Sequence, residues 1–289
     1  MPLRTLLVPL DGSSLAEQAL VPAIAIARAS GATLHIAEVF VQYLMDVRAF
    51  GTAELQANIE TQLEEEARLY LAGIGQDVSV RLAGPVESHL IRTHPLQSPL
   101  GETTAIVRGL ERLAHRIHPD LIVMATHARG GVSRAWLGSV ADALVRRGGA
   151  PLLLIHPRME PSDAAVRFQH VLVPLDGSER AEVTLPLAIT VASLSGARVT
   201  LVLVIVPDRV RVPRAPVSRV NRAQVARDET NATAYLANVR QQFAAAGITI
   251  DTATVVDEHP ARAILDYAEQ HAVDLIAMST RGLGAVKRF

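Results

Sequence analysis

Two aspartates, Asp11 and Asp176, each close a short apolar run, and each is followed by Gly-Ser. An ionised carboxylate offers only acceptors, so at the end of a strand it suits the hydroxyl donors of a sugar. Downstream of Asp11 lies ATHARGGVSRAWLGS, Ala125–Ser139, rich in glycine and carrying Arg129 and Arg134. A glycine-rich loop that feeds a helix presents backbone N–H groups to phosphate, and arginine adds charge there. The hydroxyl of Ser139 stands at that helix start. The chemistry these types support is binding. Ser139 as a nucleophile needs a base and an orienting group, and reads more simply as a helix cap. His127 has no partner in view. His89, His94, His115 and His118 are scattered without HExxH spacing, so no metal site is expected. There is no GxGxxG after a first strand, no GxxxxGK[ST] loop and no GxSxG elbow. No catalytic residue is assigned.

The elements that would hold these residues recur. Thr5–Ala32 reads TLLVPLDGSSLAEQALVPAIAIARASGA and His170–Ala197 reads HVLVPLDGSERAEVTLPLAITVASLSGA. LVPLDGS is identical in both, at an offset of about 165 residues, which is a duplicated domain rather than a solenoid repeat. Domains are expected over 1–157 and 168–289, with a linker over 158–167 where proline and charge replace periodicity. Each half opens with an apolar run, Leu6–Leu10 or Val171–Leu175, that suits a buried parallel strand. Ser14 and Glu17 have capping-box spacing, and Gly31 and Gly196 suit helix ends. Second strands follow at Thr33–Phe40 and Arg198–Val206. Polar helices are expected near Ala53–Ala72 and Gln224–Ala245, and third strands near Val78–Leu82 and Thr249–Val256. Helices near Thr103–Arg116 and Ala261–His271 lead into fourth strands, Asp120–Ala125 and Asp274–Ser279. The first half continues with a helix, Ser139–Arg147, and a fifth strand, Pro151–His156. The second half is expected to lack both. Asp208–Arg219 reads as a loop with solvated arginines. This alternation implies α/β architecture: two tandem doubly wound, Rossmann-like domains with helices on both faces of a parallel sheet. Ligands bind beyond the carboxyl ends of such strands. If the first and fourth strands are neighbours, Pro9-Leu10-Asp11 meets the Ala125–Ser139 loop there.

Composition sets the bounds. The chain has 289 residues, is 49% hydrophobic and only 3% aromatic, so its cores must be aliphatic. A formal charge of −1 gives no electrostatic case for a nucleic-acid or membrane partner. The absence of cysteine excludes disulfides and thiolate chemistry. The opening MPLRTLLVPLDG lacks the long apolar core of a signal peptide, and runs such as Val199–Val206 are too short to cross a bilayer. A cytoplasmic protein is expected.

The LVPLDGS openings, together with DLIVM at Asp120–Met124 and DLIAM at Asp274–Met278, make the chain similar to the universal stress protein family over both halves. That resemblance implies a 3-2-1-4-5 sheet, frequent ATP binding with Mg2+ as the accompanying ion, and dimers paired through the fifth strand, here Leu152–Ile155. The family's nucleotide-binding members carry Gly, two residues, Gly, nine residues, then Gly-Ser or Gly-Thr. In that register stand Ala125, Ala128, Gly138 and Ser139, so both leading glycines are alanines. The resemblance places Pro9, Leu10 and Asp11 at the ribose and adenine edge, Val39 at the base, and Met124 and Ala125 along base and ribose. It places His127, Ala128, Arg129, Gly138, Ser139 and Val140 around the phosphates. Pro174, Leu175, Asp176, Val204, Met278, Ser279 and Gly282 correspond in the second half, where Ser279 replaces the first glycine. Three functions follow: a regulatory adenine-nucleotide-binding protein of the stress response with a degenerate phosphate motif, a nucleotide-free protein acting through dimerisation and partner binding, or a weak ATP hydrolase.

Overall fold

A computed structural model describes residues 2–42, 53–93, 101–126, 138–156, 168–207, 209–210 and 219–279. Two compact units, Pro2–Val166 and Arg167–Phe289, divide the chain.

In the first unit, β1 (Thr5–Leu10) is flanked by β2 (Thr33–Val41) and β4 (Leu121–Ala125). With β3 (Val86–Thr93) and β5 (Leu152–Ile155) they form one parallel sheet in the order β3-β2-β1-β4-β5. Helices are α1 (Ser14–Glu17), α2 (Leu20–Ser30), α3 (Ala53–Leu82), α4 (Glu102–Ile117) and α5 (Ser139–Arg147). The strands are almost wholly aliphatic because both faces are covered. On one face Leu7, Ala37, Ile122 and Met124 pack with Val107, Leu110 and Leu113 of α4 and with Leu144 of α5.

The second unit repeats the plan. Its strands β6 (His170–Leu175), β7 (Arg198–Ile205), β10 (Ile250–Val256) and β11 (Leu275–Ile276) form a parallel sheet in the order β10-β7-β6-β11. Its helices are α6 (Glu179–Glu182), α7 (Leu185–Ser195), α8 (Arg222–Gln242) and α9 (Pro260–Gln270). Among the described residues no helix or strand follows β11. Asp208–Arg219, expected to be a loop, carries a short antiparallel pair between β8 (Arg209–Val210) and β9 (Arg219–Val220).

Three expectations need correction. The third strand is not Val78–Leu82. That stretch is the last turn of α3, which runs ten residues beyond the expected Ala72, and β3 begins at Val86. The apolar alternation of Val78, Val80 and Leu82 imitated a strand. Burial decides the matter: Val78 and Leu82 are 0% and 4% exposed, whereas Val80 is 79% exposed. A strand would have put all three on one face; a helix puts only the i, i+4 pair there. Gly75 lets α3 come down on β3, since a Cβ there would lie 2.7 Å from Ser88 Oγ. Second, the helix after β1 is broken into α1 and α2, and its cap is Ser13, whose side chain accepts from Ala16 N. Glu17 turns away from the cap and accepts from Tyr70 Oη at 3.0 Å. Third, Ser139 is the first residue of α5 rather than its cap. Gly138 holds the cap position, and no side chain caps this end.

The aspartate that opens DLIVM has a structural task. Asp120 Oδ2 accepts from Arg4 N at 2.7 Å and Thr5 N at 3.0 Å. In the second unit Asp274 accepts from Gln169 N at 2.8 Å and His170 N at 3.2 Å. Each carboxylate ties the start of the fourth strand to the start of the first, at the sheet end away from the expected ligand crevice.

Candidate functional site

The crevice lies where the strand order reverses, between the carboxyl ends of β1 and β4. It is a cleft of about 520 Å³ in the first unit. Pro9, Leu10 and Asp11 form one wall, and Met124 and Ala125 another. Val39 from β2 joins Ile106 and Leu110 of α4 in an apolar floor, and Gly138, Ser139 and Val140 enter from the start of α5. Nine of the expected residues are thus brought together by elements far apart in the chain. His127, Ala128 and Arg129 lie outside the described residues, as does Gly282.

The rim is polar in a particular way. Asp11 is exposed and holds a tight turn: its Oδ1 accepts from Ser13 N at 3.1 Å and from Ser13 Oγ at 2.6 Å. Gly12 sits at φ +76° within that turn, a conformation other residues rarely adopt. Across the cleft, α4 and α5 both begin with glycine caps, Gly101 and Gly138, and neither end has a side-chain cap. Thr103 Oγ1 donates to Ser139 Oγ at 3.2 Å and links the two helix starts. Two helix amino ends therefore face one cleft, where their dipoles favour an anion.

Glu102, Thr103, Ile106 and Leu110 were missed in the sequence. All sit on α4, which follows a segment without strong periodicity, and no motif marks them. Their one signal was the 3.6-residue spacing of Ile106 and Leu110 after a glycine.

Beside the cleft, Glu38 stands at the end of β2 opposite Leu10. Its Oε2 is buried without a hydrogen-bond partner. Burial first, and the nearby Asp11 charge second, push its pKa up to about 6. Tyr70, bonded to Glu17, is pushed well above the usual phenol range by burial and by the Glu17 carboxylate.

The second unit carries only part of this arrangement. Asp176 Oδ1 accepts from Ser178 N at 3.0 Å and Ser178 Oγ at 2.6 Å, and Gly177 repeats φ +76°. Pro174, Leu175 and Val204 hold the same strand positions as Pro9, Leu10 and Val39. Met278 does not follow Met124: it is 56% exposed against 7%. Ser279 is half-buried, after the end of β11.

Comparison with known proteins agrees with this architecture. The profile of the Universal stress protein family matches residues 2–156 and 167–289. Universal stress protein Rv2005c of Mycobacterium tuberculosis is 37% identical over 87 residues, 29% of this chain and 28% of that protein, so the match spans little more than a quarter of its length. Putative universal stress protein SAUSA300_1656 of Staphylococcus aureus is 27% identical over 161 residues, 55% of this chain and 88% of that protein. The crystal structure of a universal stress protein from Archaeoglobus fulgidus covers 94% of this chain and 85% of its own, with a TM-score of 0.63 and 17% identity. Two family matches laid end to end on two parallel sheets place this chain in the universal stress protein family.

Proposed function

We propose that the first unit binds an adenine nucleotide in the cleft between β1 and β4, and that the protein acts as a nucleotide-responsive member of its family. The observation that carries this reading is the pairing, in one cleft, of an apolar floor with two uncapped helix starts. The volume lies within the roughly 300–1,000 Å³ typical of small-molecule sites. Val39, Ile106, Leu110 and Met124 suit the faces of a flat heterocycle. The Asp11 carboxylate is an acceptor for ribose hydroxyls. The N–H groups that open α5 are donors for phosphate, and Glu102 is the acidic residue placed to hold Mg2+ beside it. Binding rather than turnover is the activity this set supports. Equilibrium titration with ATP tests the reading: one nucleotide per chain is expected, with measurable release of intact ATP on denaturation. Absence of saturable binding of ATP, ADP or AMP refutes it.

We also propose that β5 pairs with a second copy of the chain. Within its sheet β5 has a hydrogen-bonded neighbour on one side only, β4. Ile122 N donates to Pro151 O and Thr126 N to Ile155 O, so the odd-numbered residues face β4. Leu152 and Leu154 therefore point their N–H and C=O groups to the free side, a template for another strand. Proline at 154 removes an edge donor without touching the β4 ladder. Light scattering is expected to show a dimer for the parent and a monomer for Leu154→Pro. A monomeric parent at tens of micromolar, where ordinary micromolar affinities would be populated, refutes the pairing.

A further inference from the structure

The face of β2 and β3 that packs under the end of α4 carries three groups that the nucleotide reading leaves unused. His35 and Glu87 are directly opposite each other across the β2–β3 ladder, and His89 follows Glu87 at the two-residue spacing of a strand. All three side chains therefore emerge on one face. His35 Nδ1 lies 2.9 Å from His89 Nε2. Glu87 Oε2 lies 3.5 Å from the first nitrogen and 3.8 Å from the second. The ring centroids are 5.1 Å apart and the planes only 19° apart. That combination, with so short a nitrogen contact, sets the rings edge to edge, with the two nitrogens turned toward each other.

We infer that His35, Glu87 and His89 form a binding site for a divalent transition-metal ion of the Zn2+ or Cu2+ class. The donor triangle has sides of 2.9, 3.5 and 3.8 Å. A point equidistant from its corners lies about 2.0 Å from each, the length of a Zn–N or Zn–carboxylate bond, at about 2.0–2.2 Å. Two imidazoles and one carboxylate are a ligand set that Zn2+ and Cu2+ favour over Mg2+ and Ca2+, which prefer oxygen. Without a metal the two rings share one N–H···N bond. Binding would take up both nitrogen lone pairs and release that proton to solvent.

The surroundings fit a bound ion. His35 is buried and His89 largely so, whereas the Glu87 side chain is 60% exposed, which gives an ion a way in and leaves a further coordination position to water. Burial lowers the pKa of both histidines, His89 further by its neighbour His35, so the rings are neutral and able to ligate at neutral pH. Arg116, exposed on α4, opposes a cation but from the solvent side. The second unit supplies an internal control. In the matching register Thr200 faces Asp251, and Val202 faces Ala253. Thr200 Oγ1 lies 2.8 Å from His170 Nε2 instead, and no second imidazole enters. A metal at the first site would tie the edge strand β3 to β2.

The test uses full-length protein without a polyhistidine tag, stripped with chelator and titrated calorimetrically with Zn2+ alone. One equivalent is expected. His89→Gln is expected to abolish that equivalent, and Glu87→Gln to weaken it at least tenfold. Glu87 is exposed, so its variant keeps the fold even where His89→Gln does not, and circular dichroism checks both. Asp11→Ala is expected to retain the equivalent, which separates this site from the nucleotide cleft. Failure of the parent to bind stoichiometric Zn2+, or undiminished binding in either ligand variant, overturns the proposal.

Discussion

The two units share their first strand, their Asp-Gly-Ser turn and a Glu–Tyr bond at the same separation, yet only the first builds a cleft from them among the described residues. Glu17 with Tyr70, and Glu182 with Tyr235, are both 53 residues apart. Asp11 and Asp176 accept the same two bonds from the serine two positions on. The difference begins at the fourth strand. β4 is buried throughout between β1 and β5, whereas β11 has β6 on one side only and its residues are half-exposed. The lesson is that LVPLDGS encodes a turn. A ligand site needs in addition the apolar floor and the helix starts that only α4, β4 and α5 bring to it.

The comparison can be broken first at its structural base. Asp120→Ala and Asp274→Ala each remove a charged acceptor for two backbone N–H groups. A loss of about 2–3 kcal/mol is expected for each, from the range of such bonds. Asp274→Ala is expected to cost its unit more, because β11 has fewer neighbours to hold it. Urea unfolding reads this, and a larger loss from Asp120→Ala would reverse the ranking. A smaller effect concerns the duplicated bond: Tyr70→Phe and Tyr235→Phe should each cost about 1 kcal/mol and match within experimental scatter. Unequal losses would show that the acids around Tyr70 alter the bond.

The smallest effect sharpens the contrast at one position. Leu203 of the second unit stands where the first has Glu38, each in register with the last leucine of the first strand. The folded pKa of Glu38 is raised, so the folded chain holds this proton more tightly than the unfolded chain. Its contribution is favourable below 4.5 and is lost as pH rises to about 6. Glu38→Leu should therefore stabilise the first unit at pH 7, by no more than about 1 kcal/mol because the group is partly solvated. No gain should appear near pH 4. Melting temperatures at the two pH values decide it, and an equal gain at both would exclude titration of Glu38 as the cause.

Much of this was legible in the residues. The repeat, the buried strands and the glycine helix ends at Gly31 and Gly196 were readable because short-range periodicity and turn chemistry set them. The carboxyl-end crevice followed from strand order alone. The third strand was not legible: Val78, Val80 and Leu82 carry a period of two that the helix overrides, since burying Val78 and Leu82 needs only one helical face. That error had a consequence. With β3 placed at 78–82, Glu87 and His89 had no strand to share, and the cluster they form with His35 could not be read. Met124 and Met278 look equivalent in DLIVM and DLIAM, and only the sheet neighbours tell them apart.

The central claim is that the nucleotide site belongs to the first unit. Calorimetric titration of ATP into Asp11→Ala and Asp176→Ala tests it most directly. Because the two carboxylates hold matching turns, the structural damage is the same in both variants and cancels in the comparison. The account predicts at least a tenfold loss of affinity in Asp11→Ala, which corresponds to about 1.4 kcal/mol, and no more than a twofold change in Asp176→Ala. Equal losses, or a larger loss in Asp176→Ala, would contradict it.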